Sequence, residues 1–213
     1  MSTLATIRGV SAPDSEFTRK ATSLAARIHD KSTLNHVHRT WWFADFLGQK
    51  RGMKYDREVL YLSTILHDLG LTEDFAADGR FEVDGADAAR RTLRESGYSD
   101  QKAQLVWESI ALHSSLGIAD HLGPEVCLCC LGAHADVFGM NLEEITPSIV
   151  DDTLALYPRV GFKRAFQQAL AEVARKKPHL AAGTGLADIG KRHIHGFSCP
   201  NVCDMIDGSP FES

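Results

Sequence analysis

The sharpest chemical feature of this chain is the pair His67-Asp68, which closes an apolar run (Val59, Leu60, Leu62, Ile65, Leu66) and is followed at once by Leu69-Gly70. An imidazole and a carboxylate side by side in apolar surroundings are costly unless something pairs with them, and a divalent cation does that well. The dipeptide alone also fits a surface helix end, so the reading depends on further donors. Two segments supply them. His36 lies 31 positions before His67, in Asn35-His36-Val37-His38-Arg39-Thr40, and Asp136 lies 68 positions after Asp68, in Ala133-His134-Ala135-Asp136-Val137-Phe138-Gly139. Nitrogen and oxygen donors with open positions suit Zn²⁺, although Fe²⁺, Mn²⁺ or Co²⁺ accept the same set. A catalytic cation lowers the pKa of its water from about 15.7 to about 7 and polarises a neighbouring electrophile, so the expected chemistry is addition of water.

Donors so far apart must be carried by separate elements, and the apolar pattern makes those elements helices. Period-3.6 patterning predicts a first helix after Ser11, Pro13 and Asp14 that ends near His29, with Phe17, Ala21, Leu24, Ala25 and Ile28 on one face. Further helices are expected from 33 or 34 to 50, from 56 to 69, from 81 or 83 to 95, from 99 or 100 to about 113, and over 124–137, 147–156 and 163–177. Gly52, Gly70, Gly97, Gly117 and Pro178 punctuate them. No alternating strand run competes. The fold class read from the sequence is therefore all-α: a single helical domain over 1–180, with a loop-rich, Gly- and Pro-punctuated carboxy-terminal extension over 181–213 packed on it. His36, His67-Asp68 and Asp136 then come from three helices, as in bundles that build metal sites from inward-facing side chains.

Composition narrows the function classes. The 213 residues are 44% hydrophobic and 24% charged with a net charge of -5, which is globular and gives no positive field to recruit nucleic acid. No run of about 18 apolar residues occurs to span a membrane, and residues 1–11 lack a secretory core, so a cytoplasmic location is expected. Five cysteines, three of them crowded at Cys127, Cys129 and Cys130, are read as reduced thiols. A homo-oligomer stays open.

His36, His67-Asp68 and Asp136 together resemble the H…HD…D pattern of the HD-domain superfamily. The resemblance extends to cyanamide hydratase-like HD proteins over roughly residues 30 to 180. It rests on Asn35-His36-x-x-Arg39, Leu66-His67-Asp68-Leu69-Gly70-x-Thr72, Phe81-Glu82, a helix ending in His113, Asp136-Val137-x-Gly139, and Tyr157-Pro158-Arg159 followed by Lys177-Pro178. It implies a helical bundle in which His36, His67, Asp68 and Asp136 ligate one divalent metal, Zn²⁺ first. A second metal is not expected, because the segment Phe81-Glu82-Val83-Asp84 lacks histidine. The implied reaction is water addition to a small nitrile-like or amide-like substrate. Glu82 and His113 would move protons, Thr72 would orient substrate or water, and His113 is read as a donor beside the ligands rather than a ligand.

Alternatives remain. An HD-type phosphohydrolase acting on nucleotides or phosphomonoesters would use Arg39, with Lys54 and Arg80 flanking, although no GxxxxGK phosphate loop is present. A helical scaffold whose metal only holds the bundle together is the third reading. His38 and His134 each lie two residues, about 200° of helix, from the nearest candidate ligand and are read as structural. Trp41, Trp42 and Phe43 are read as core, and His193, His195, Cys199 and Cys203 form a weak rival metal set in the extension.

Overall fold

A computed structural model describes residues 5–211, so the first four residues of the expected helical domain and the last two of its extension lie outside it. Among the described residues the fold is all-α: ten helices and one two-stranded hairpin. The chain divides into two compact units, 1–162 and 163–213, so its contacts divide earlier than its composition, which changes near residue 180.

The first unit opens with β1 (Thr6–Ile7) and β2 (Val10–Ser11), paired antiparallel with Ile7 opposite Val10. The sequence pattern missed this hairpin because two-residue strands are too short to alternate. Helix α1 (Glu16–Ile28) starts on a capping box between Ser15 and Thr18, and α2 (Lys31–Lys50) starts where Asp30 accepts from the amides of Ser32 and Thr33. Helix α3 (Arg57–Leu66) is capped by Asp56, α4 (Phe81–Glu95) follows a loop, and α5 (Asp100–Ala111) follows Gly97. Pro124 opens α6 (Pro124–Phe138), which stops at Gly139 in the left-handed conformation, and Pro147 opens α7 (Pro147–Leu156). Helix α2 lies against α6 and α3, and α4 pairs with α5. The core includes Trp41, Trp42, Phe43, Leu47, Leu60, Leu62, Ile65 and Leu128, so the tryptophans are core as expected. Gly132 lets α6 close on α2, since a Cβ there would sit 2.4 Å from the Thr40 carbonyl oxygen.

Two helices end earlier than their apolar pattern implies, and both ends carry site histidines. Helix α3 was expected to run to 69 but stops at Leu66, with Asp68 in the bridge region (φ -99°, ψ 14°) and a 3-10 turn over Leu69–Leu71. Gly70 is the reason: a Cβ at this position would fall 1.9 Å from the Phe81 carbonyl oxygen, so the start of α4 lies directly against the turn. Helix α5 stops at Ala111, leaving His113 in the turn beyond it.

Helix α8 (Phe162–Lys176) starts at the last residue of the first unit, and the second unit continues it and adds α9 (Gly185–His193) and α10 (Val202–Asp207). The extension is thus more helical than its glycine and proline content suggests, because Thr184 and Asn201 cap α9 and α10. His193 meets Gln167 at 2.9 Å, and no metal-holding group forms from His193, His195, Cys199 and Cys203 among the described residues. No helix among the described residues is long and apolar enough to cross a membrane.

Candidate metal centre

His36, His67 and Asp68 come together in the interior of the first unit. His36 Nε2 lies 3.2 Å from His67 Nε2 and 3.4 Å from Asp68 Oδ2, and His67 Nε2 lies 3.3 Å from the same carboxylate oxygen. Consecutive residues on an α-helix diverge by about 100°, so His67 and Asp68 converge only because the chain leaves the helix between them.

The backbone fixes which nitrogens face inward. His67 Nδ1 lies 2.7 Å from the Thr64 carbonyl oxygen, and His113 repeats the arrangement with Nδ1 at 2.7 Å from the Ile110 carbonyl. Each imidazole donates to a backbone carbonyl in the last turn of a helix and turns the lone pair of its Nε2 toward the cluster. Asp136 does the same for His36, its Oδ2 lying 2.6 Å from His36 Nδ1. His113 Nε2 lies 3.9 Å from Asp68 Oδ1, and its ring stands 4.7 Å from that of His67.

His36 Nε2, His67 Nε2 and Asp68 Oδ2 therefore face one another. Both oxygens of Asp68 are buried and accept no hydrogen bond. Buried polar atoms are almost always satisfied, so an orphaned carboxylate among inward-turned lone pairs is a strong sign of a cation site. The dimensions agree. Donors about 2.0–2.1 Å from a tetrahedral ion are separated by about 3.3–3.4 Å, close to the three edges here. The buried group can thus hold a metal; the donor set does not choose which.

Asp136 was expected as a fourth ligand and occupies a different place. It meets His36 at the nitrogen that faces away from the cluster, and both of its oxygens are already engaged. Arg39 donates from Nε to Oδ1 at 2.7 Å and from Nη2 to Oδ2 at 2.8 Å, and Arg159 donates to Oδ1 at 2.5 Å and to the Asp136 carbonyl. Burial would raise this carboxyl, but the hydrogen bonds from His36 and Arg39 outweigh it and hold it far below the usual range. Arg39, expected at the substrate, is fully buried, and its Nη1 donates to the carbonyls of Tyr157 and Pro158 at 3.0 and 3.2 Å. Its guanidinium is a brace. Thr72 likewise turns inward on its own backbone, its hydroxyl donating to the Leu69 carbonyl at 2.7 Å.

Glu82, in the first turn of α4, is buried and accepts from Arg80 Nη2 at 2.7 Å and from Ser114 Oγ at 2.6 Å. Burial opposes its ionisation, but the bonds from Arg80 and Ser114 outweigh burial and keep its carboxyl below the ordinary value. Burial, reinforced by the neighbouring His67, pushes His113 down to about 4, and burial with His36 pushes His67 well below its ordinary value. Both rings are neutral at pH 7 and present lone pairs. Asp84, where two-metal proteins would continue with histidine, accepts from the amides of Ala77 at 2.8 Å and Gly79 at 3.0 Å and so ties down the loop before α4.

Three residues were missed as site residues. Arg159 and Phe162 belong to the segment after α7, and only the Tyr157-Pro158-Arg159 motif hinted at them. His29, at the end of α1, has a buried Nε2 without a hydrogen bond, and Asp68 and His36 are among its electrostatic neighbours. Its position just before the Asp30 cap of α2 was the available signal.

The chain matches no model of a known protein family. It is 25% identical over 171 residues to cyanamide hydratase DDI2 of Saccharomyces cerevisiae and, to the same extent, to cyanamide hydratase DDI3 of that yeast, a stretch covering 78% of this chain and 76% of each relative. This distant likeness, over an all-α fold with a buried group that can hold a metal, supports an enzyme with a hydratase-like function.

Proposed function

We propose that this protein is a metal-dependent, HD-type hydratase that adds water to a small, neutral, nitrile-like substrate, cyanamide being the first to try. The observation that carries the reading is the triangle of His36 Nε2, His67 Nε2 and Asp68 Oδ2 around an unpartnered carboxylate. Those three residues would hold one divalent cation, Zn²⁺ being the first to test and Fe²⁺, Mn²⁺ or Co²⁺ fitting the same donors. When bound, such an ion supplies acidified water and polarises a nitrile carbon.

The protein's own groups handle the protons. Hydration of a nitrile forms a carbon–oxygen bond, moves two protons from oxygen to nitrogen and releases nothing, so the site needs a relay rather than a leaving-group acid. Neutral His113, whose Nε2 lies 3.9 Å from Asp68 Oδ1, would accept a proton and return it. Glu82, held as a carboxylate by Arg80 and Ser114, steadies the charged form of His113 during transfer.

A small neutral substrate is favoured over a phosphomonoester by the fate of the cations. Arg39 and Arg159 are bound to Asp136 and Arg80 to Glu82, while Lys54 is exposed. A phosphate would have to compete with buried carboxylates for its partners. The test is metal analysis of protein purified without chelator, together with a urea-forming assay on cyanamide and a phosphate-release screen on nucleotides. One metal per chain with urea formation supports the proposal; phosphate release without urea overturns it.

A further inference from the structure

Phe162 is 2% exposed and touches three groups that share one carboxylate. Its ring lies 5.0 Å from the ring of His36 at a 31° tilt, with the guanidinium carbon of Arg39 over it at 5.1 Å and that of Arg159 at 4.5 Å. All three of these side chains bond to Asp136. Two guanidinium charges against one carboxylate leave an excess of positive charge, beside a place where a cation would add more. An aromatic face carries negative potential and offsets it.

The chain around Phe162 is anchored to the same network. The Tyr157 and Pro158 carbonyls accept from Arg39, and the Pro158 carbonyl also accepts from Asn35 Nδ2 at 2.9 Å. Residues 157–162 form a strap across α2 at the point where α2 presents His36.

We propose that Phe162 is a positioning residue for His36: by stacking on the imidazole and on both arginines that orient Asp136, it sets the affinity of the cation site. This rests on the reading of His36 as a metal ligand, and the experiment separates the two. Zn²⁺ and Co²⁺ affinities are measured by chelator competition, and the Co²⁺ visible spectrum is recorded, for the wild type and for Phe162→Leu, Phe162→Met, Phe162→Tyr, Phe162→Trp and His67→Ala. Orienting contacts behind metal ligands are worth about 10- to 100-fold in affinity. Phe162→Leu and Phe162→Met are expected to weaken binding by that factor while still reaching one metal per chain, with an altered Co²⁺ spectrum. Phe162→Tyr or Phe162→Trp should restore affinity to within about threefold, because each returns a ring face. Methionine fills the volume without a ring and keeps the test informative if the leucine variant folds poorly. Wild-type affinity and spectrum in the methionine variant, or no recovery with either aromatic, overturns the role of Phe162 alone. A wild type without metal, or a His67→Ala protein that binds as tightly as wild type, sinks the cation reading and this proposal with it.

Discussion

Asp136 holds the Nδ1–H of His36 across 2.6 Å, and that one bond decides which edge of the imidazole is left for His67 and Asp68. The carboxylate that a linear motif would count among the ligands meets His36 at the nitrogen turned away from His67 and Asp68. A small change of side chain at this position therefore reads out differently from a change at the ligands themselves.

Replacing Asp136 by Asn keeps an acceptor for His36 but removes the charge that orients the ring and pairs with two arginines. Zn²⁺ affinity should fall about 10- to 100-fold with the stoichiometry still reaching one. Asp68→Asn and His67→Ala should lose stoichiometric metal. Chelator competition with elemental analysis distinguishes these patterns, and Asp136→Asn behaving like Asp68→Asn would make Asp136 a ligand after all.

The brace between Arg39 and Asp136 is buried on both sides, and removing one partner strands the other. Arg39→Met should lower stability by about 3–5 kcal/mol, read from urea unfolding in the presence of a chelator so that metal loss does not contribute. Substrate affinity in the surviving folded protein should depend little on salt. A variant as stable as wild type would place the guanidinium elsewhere in solution.

Burial pushes His38, half-buried and stacked on Tyr157 at 4.7 Å, down to about 4. The unfolded ring titrates near 6.5, so between those values the unfolded chain binds the extra proton. Stability is complete above about pH 6.5 and drains away as pH falls toward 4. Two and a half units would correspond to about 3 kcal/mol, and partial exposure reduces this to roughly 2 kcal/mol. His38→Gln should flatten that part of the acid loss. The comparison to make is the urea midpoint of both chelated proteins at pH 7 and pH 4.5, and parallel losses would refute the assignment.

Arg80 and Ser114 keep Glu82 ionised against its burial. Removing the guanidinium in Arg80→Gln lets burial dominate and raises the carboxyl. If Glu82 must be ionised for turnover, the acid limb of the kcat/KM profile for cyanamide moves to higher pH by about one unit. An unmoved limb would take Glu82 out of the proton path.

The helices of the first unit were legible because each turns an apolar stripe to that unit's core, and Ser, Asp and Pro mark many of their starts. Helix α7 has the expected bounds, and α4 and α6 lie within a residue or two of theirs. What the residue string could not carry was valence. It named His36, Asp136 and Arg39 as polar groups on inward helices but not which lone pairs were already occupied, so Asp136 read as a ligand and Arg39 as a substrate contact. The ends of α3 and α5 were hidden for a related reason. Leu69 and Leu112 continue the apolar pattern past the point where the backbone turns, and only the contact between Gly70 and Phe81 shows why it must. The role of Phe162 needed three-dimensional neighbours on elements far apart in sequence.

The missing side chain at Gly70 has a consequence for how this protein can vary. Because the turn after Asp68 abuts the Phe81 carbonyl with no room even for a methyl group, Asp68 and Glu82 are joined through backbone, although thirteen residues intervene. The segment 72–80 is a detour that leaves and rejoins a seam. It is pinned to α4 by Arg80 on Glu82 and by the Ala77 and Gly79 amides on Asp84, while a single methyl at Gly70 would wedge the seam open and move both carboxylates. The protein thus has an inner joint at which no side chain can be added.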